Sequence, residues 1–179
     1  MSTRNGSTNG RVIILWVALG VGISLGSCGT DSSANKVGSV SASSYYDKRD
    51  SYKPENVSDG DEQTEWAAQG SEPASLAITP LRAGILQSIR FVARQTSLWE
   101  AWYKVEVKLY LKGQSVSSEV FSFPSAATQR VQEISLRPVE CDRIELLFSE
   151  PVTETPTGQA VKAAAVNPGY SEIVLNWKN

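Results

Sequence analysis

The chain has 179 residues, 41% hydrophobic and 20% charged, a globular balance and enough for one domain plus a leader. A net charge of −2 and no histidine remove the basic surface that nucleic acid needs, the commonest general base and the commonest metal ligand. Two cysteines, Cys28 and Cys141, are too few for a cysteine zinc site or a disulfide framework.

Residues 1–27 read as a targeting segment. Arg4 and Arg11 precede an apolar run from Val12 to Leu25, and small residues follow, the three-part pattern of a secretory signal. That run, about 14 residues, is short of the roughly 20 that span a bilayer. It ends in Leu25-Gly26-Ser27-Cys28, which resembles the bacterial lipoprotein box, where cleavage precedes an acylated cysteine. The resemblance implies acyl (palmitate-type) chains on Cys28 and a tether to a bacterial membrane. Gly29 follows the cysteine instead of an inner-membrane retention Asp, so the outer membrane or cell surface is expected. A plain cleaved signal and an uncleaved anchor are the competing readings. With the leader gone, 15 cations face 19 acids, a net charge of −4. The G-x-S-x-G match at Gly22-Ile23-Ser24-Leu25-Gly26 lies inside the apolar run with no strand before it and no histidine in the chain, so it carries no hydrolase chemistry.

Residues 28–44 are rich in Ser, Gly, Ala and Asn and read as a flexible tether. From Tyr45 the pattern has period two. Ser75–Thr79 predicts a short strand, and Ile89 with Phe91 share one face of the next. Tyr103, Val105, Val107, Leu109 and Leu111 alternate with Lys104, Glu106, Lys108, Tyr110 and Lys112, a strand with one wet face. Phe121 with Phe123, Val131–Leu136, Ile144-to-Phe148 and Ile173-to-Trp177 supply the remaining strands. Turn signals such as Lys112-Gly113 and Asn167-Pro168-Gly169 separate them. Seven or eight short strands with no convincing helix predict an all-β sandwich or jelly roll over residues 45–179.

The stretch Asp59-Gly60-Asp61-Glu62-Gln63-Thr64-Glu65-Trp66 holds oxygen donors on one tight loop, with a glycine where the backbone must turn. Asp59, Asp61 and Thr64 suit a calcium ion, which takes six to eight oxygens. An ordinary Asp-Gly turn is the plainer reading. Together with Ser171-Glu172-Ile173 near the end, this stretch resembles the discoidin (coagulation-factor type C), galactose-binding-like domains. Within them it is most similar to the bacterial group like the translocation domain of streptococcal NAD glycohydrolases, without any glycohydrolase catalytic domain. The resemblance implies a galactose-binding-like jelly-roll β-sandwich, and a structural Ca2+ held by Asp59, Asp61, Thr64 and Glu172.

Trp66 reads as a core residue beneath this loop. Trp99 and Trp102 flank Glu100-Ala101 before the long strand, where aromatic faces stack on sugar rings or cap a sandwich end. Trp99, Trp102 and Arg94 are therefore the candidate ligand-binding residues, and Cys141 reads as a buried, inert thiol. The expected function is a non-catalytic, membrane-anchored module that recognises glycan or another extracellular ligand. The alternative is an envelope lipoprotein that docks a protein partner and binds no sugar. Carboxylate pairs that cleave glycosides without histidine do exist, but no second acidic pair stands out, and no enzyme activity is expected.

Overall fold

The computed structural model describes residues 37–94, 100–123, 129–154, 160–162 and 167–178. The leader, Cys28 and Trp99 lie outside them. Among the described residues ten strands form two antiparallel sheets. The larger runs β1 (Val37–Ala42), β3 (Ala74–Pro80), β8 (Arg143–Glu154), β5 (Ala101–Leu111) and β6 (Gln114–Ser122), with the short β9 (Ala160–Lys162) added to β8. The smaller runs β2 (Trp66–Ala67), β10 (Gly169–Trp177), β4 (Gly84–Ala93) and β7 (Val131–Cys141). This is the β-sandwich that the alternation predicts.

Alternation builds the core directly. Val105, Val107 and Leu109 on β5 stand opposite Phe148, Leu146 and Ile144 on β8, and all six are buried. Ile89 and Phe91 on β4 pair with Leu175 and Ile173 on β10 to supply the other inner face. Each such side chain contributes about 1.5–3 kcal/mol when buried. Phe148 is the hub at one end of this core, in ring contact with Trp66, Phe91, Trp102 and Tyr170 at 5.3–6.3 Å between centroids.

The first strand corrects the sequence reading. Val37–Ala42, expected within the tether, pairs with β3 as an edge strand. Of its six residues Val40 is buried, Val37 and Ala42 pack half-buried against the core, and the rest are glycine and serine. An edge strand draws its hydrogen bonds from one neighbour and needs few apolar residues, so composition alone did not reveal it.

The connections are unequal at the two ends. Tight turns join β3 to β4, β5 to β6 and β7 to β8 at one pole. The β5–β6 turn uses Lys112 and Gly113 at φ 51° and 78°, the left-handed pair of a tight hairpin. At the other pole lies the long connection 43–65, wound through three short 3-10 turns, together with the ends of β4, β6 and β8. The candidate site is built there.

Candidate functional site

The loop after the last 3-10 turn forms two successive Asx turns. The Asp61 amide donates to Asp59 Oδ1 at 2.9 Å, and the Gln63 amide donates to Asp61 Oδ1 at 2.9 Å. Gly60 sits at φ +81°, a conformation that other residues resist. The turn thus brings oxygens together around Thr64 Oγ1. Asp59 Oδ2 is 2.8 Å away, the Asp61 carbonyl 3.0 Å and the Asn56 carbonyl 3.4 Å. A single hydroxyl proton cannot satisfy three acceptors at once. The cluster is therefore rich in lone pairs and short of protons.

Glu172, on β10, closes the arrangement. It is 3% exposed, and its Oε2 accepts from the Gly60 amide at 3.3 Å. The first acidic turn and the last strand do meet, although 112 residues separate them. Asp59 and Thr64 meet through their side chains, Asp61 joins them by its carbonyl, its carboxylate being engaged in the second turn, and Glu172 reaches the loop through the Gly60 amide. Among the described residues no three His, Cys, Asp or Glu side chains form a metal-binding group. The donor set is instead carboxylate, carbonyl and hydroxyl oxygen, which fits a hard cation such as calcium and not a transition metal.

Asn56 holds this loop from behind and was not singled out by the sequence reading. Its side-chain amide, 5% exposed, donates to the Ser51 and Glu65 carbonyls at 3.0 and 2.9 Å. An asparagine in a polar stretch gives no sign of burial; only its position beside Val57, also buried, hints at one. On the outer side Glu62 is fixed by Arg130 at 2.9 Å and by Arg90 at 3.8 Å.

Two candidate ligand residues are corrected. Trp102 is fully buried, stacked on Phe148 at 6.0 Å, so its ring offers no face to a ligand. It lies at the start of β5, where Ala101 and Trp102 are both buried and the alternation of the strand breaks, and the aromatic layer around Phe148 encloses it. Arg94 is also buried. Its guanidinium binds Glu65 at 2.7 Å and Glu100 at 3.1 Å, donates to the Asn167 carbonyl, and lies 5.5 Å from the Tyr52 ring centre. A buried cation needs such partners, and their number leaves little of the fork for a ligand. Arg94 is the clasp that joins the 43–65 connection, the ends of β4 and β5, and the entry to β10. Trp99 falls between Arg94 and Glu100, outside the described residues.

Beside the oxygen cluster lies an open concavity of about 580 Å³. Its walls include Asp50, Ser51, Lys53, Glu55, Gln63 and Thr64. These side chains offer hydrogen-bond donors and acceptors on a frame pinned by Asn56.

No family model matches the chain, and no curated protein does. Solved structures do. A third family 32 carbohydrate-binding module from a family 31 glycoside hydrolase of Clostridium perfringens superposes with a TM-score of 0.61 at 21% identity, over 80% of this chain and 92% of that one. Chitosan-binding module 1 of a Paenibacillus sp. IK-5 chitosanase/glucanase gives 0.59 at 10% identity, over 80% and 96%. The family 32 module of NanJ from C. perfringens, solved with galactose, gives 0.56 at 16%, over 76% and 91%. At such identities the likeness establishes the fold alone, the two-sheet antiparallel β-sandwich of these modules.

Proposed function

We propose that this chain is a non-catalytic module that binds glycan at its loop pole and is held to a bacterial membrane by acyl chains on Cys28. The observation that carries the glycan reading is the polar concavity between Lys53, Glu55 and Gln63, set on a rigid sandwich at the pole where the long connection gathers. The likeness of fold supports it, since similar modules are described in complex with galactose, with GalNAc-β-1,3-galactose and with chitotriose. Trp99, which the sequence places between Arg94 and Glu100, is the aromatic residue proposed to stack on a sugar ring. A calcium ion is proposed at the neighbouring oxygen cluster, where Asp59, Thr64, Glu172 and the Asn56 and Asp61 carbonyls would hold it. Its role is structural: it would neutralise the carboxylates and fix one wall of the concavity.

A glycan array probed with the full chain tests the reading. A defined set of sugars should bind, and Gln63→Ala or Lys53→Ala should weaken binding roughly tenfold, the loss of one or two hydrogen bonds to a polar ligand. Trp99→Ala should weaken it further. An array that stays silent while the chain captures an envelope protein would replace glycan recognition by protein docking.

A further inference from the structure

The pole opposite the site has a composition of its own. Leu81, in the β3–β4 turn, is 69% exposed, the most exposed large apolar side chain among the described residues. Ile85, at the start of β4, is 36% exposed. The same pole receives both ends of the described domain. Val37 pairs with Pro80, the Lys178 amide donates to the Ile85 carbonyl at 2.8 Å, and the Trp177 ring lies over Gly84. Four cations gather there, Arg82, Lys112, Arg143 and Lys178, all exposed, against the two acids Glu140 and Asp142. The segment 43–73 at the far pole carries eight acids and three cations. Arg90, Arg94 and Arg130 pair with Glu62 and Glu65 there, and even with them the acids outnumber the cations, so charge is divided between the poles, basic where the domain begins and acidic where the concavity opens.

Cys28 precedes Val37 by nine residues. Fully extended, such a segment spans at most about 30 Å. A domain on so short a tether is kept near the bilayer, and its charge asymmetry selects which pole meets an anionic surface. We infer that the Leu81 pole docks on the anionic bilayer, with Leu81 and Ile85 entering the interface and Arg82, Lys112 and Lys178 among the headgroups, so that the concavity faces away. The inference rests on the lipid-anchored part of the proposed function. Each basic residue near an anionic surface is worth about a fivefold factor in binding. The acidic far pole is repelled by the same surface.

The test uses the full chain, purified with its lipid and placed in vesicles of phosphatidylglycerol and phosphatidylcholine. A polarity-sensitive fluorophore is attached at Leu81→Cys or, at the far pole, at Glu72→Cys. The label at 81 should shift to the blue and be quenched by brominated lipid, and the label at 72 should do neither. Arg82→Gln with Lys178→Gln should abolish the shift while the acylated chain stays on the vesicle. Equal aqueous spectra at 81 and 72 on an acylated, vesicle-bound chain would overturn docking. Mass spectrometry of Cys28 decides the anchoring separately. If it carries no lipid, anchoring fails, and the same labels on the Cys28→Ser chain mixed with the vesicles still decide docking. There, a shift at 81 that weakens roughly 25-fold in apparent affinity on removing the two cations supports it, and no shift overturns it.

Discussion

At Cys141 burial decides the chemistry. The residue ends β7 with no exposed surface, and desolvation, with smaller help from Asp142 and Glu140, pushes its thiol up to about 12 from 9.0. The folded chain therefore keeps a proton that the unfolded chain releases above about pH 9. Stability from this group is complete below that value and is lost as pH rises toward 12, by at most about 1.4 kcal/mol per pH unit. Burial raises Tyr170 as well, so the loss steepens above pH 10. Urea denaturation at pH 8, 9 and 10 should show the decline, and Cys141→Ala should flatten the step between 9 and 10. An aromatic disulfide reagent should find Cys141 only after unfolding. The inert thiol was legible because a lone cysteine with no partner in the domain behaves by default as a small buried hydrophobe. The fates of Arg94 and Trp102 were not, because their burial depends on Glu65, Asn167 and Phe148, remote in sequence.

Strands with one wet face announced themselves. β5 from Val105 and β8 follow the expected alternation because each lies inside a sheet with one face on the core, whereas β10 alternates only after Ile173, its first five residues being buried at the loop pole. β1 and β2 did not, the first for lack of apolar residues and the second for its two-residue length. What holds β2 is close backbone approach to β10, and glycine makes it possible. A β-carbon on Gly169 would stand 1.9 Å from the Trp66 carbonyl oxygen and 2.8 Å from the Ala67 α-carbon. Backbone cannot give way as a side chain does, so Gly169→Ala must prise β2 from β10. It breaks the pairing of Gly169 with Ala67 and of Tyr170 with Trp66, and strains the Ala68 amide bond to the Pro168 carbonyl. A loss of at least about 3 kcal/mol is expected from such overpacking. At Gly84 the added carbon meets only the Trp177 ring, at 3.1 Å, and Gly84→Ala should cost less than about half as much. Thermal melts of the two variants side by side check the ranking.

Across the whole molecule, the acidic turn acts as a seam. The 43–65 connection leaves β1 in the larger sheet and arrives at β2 in the smaller, and Glu172 on β10 fastens it through Gly60. Carboxylates and carbonyls crowd this seam with one hydroxyl proton among the Thr64 acceptors. An ion taken up there binds the folded chain and not the unfolded one, in which these oxygens are scattered. Binding therefore stabilises the whole sandwich by linkage, about 2.7 kcal/mol at a hundred times the dissociation constant. For a domain of this size that is a rise in Tm of roughly 5–10 °C. Calcium should produce the rise, a chelator should reverse it, and magnesium should do less, because it demands a tighter octahedron. Asp59→Asn removes the charge, keeps one oxygen to accept from the Asp61 amide and turns its NH2 toward Thr64 Oγ1, so it should lower the calcium-dependent part of Tm far more than the Tm measured in chelator. If excess calcium leaves the melting curve of the parent chain unmoved, the oxygens form only a hydrogen-bonded turn, and the seam is closed by Glu172 and Gly60 without an ion.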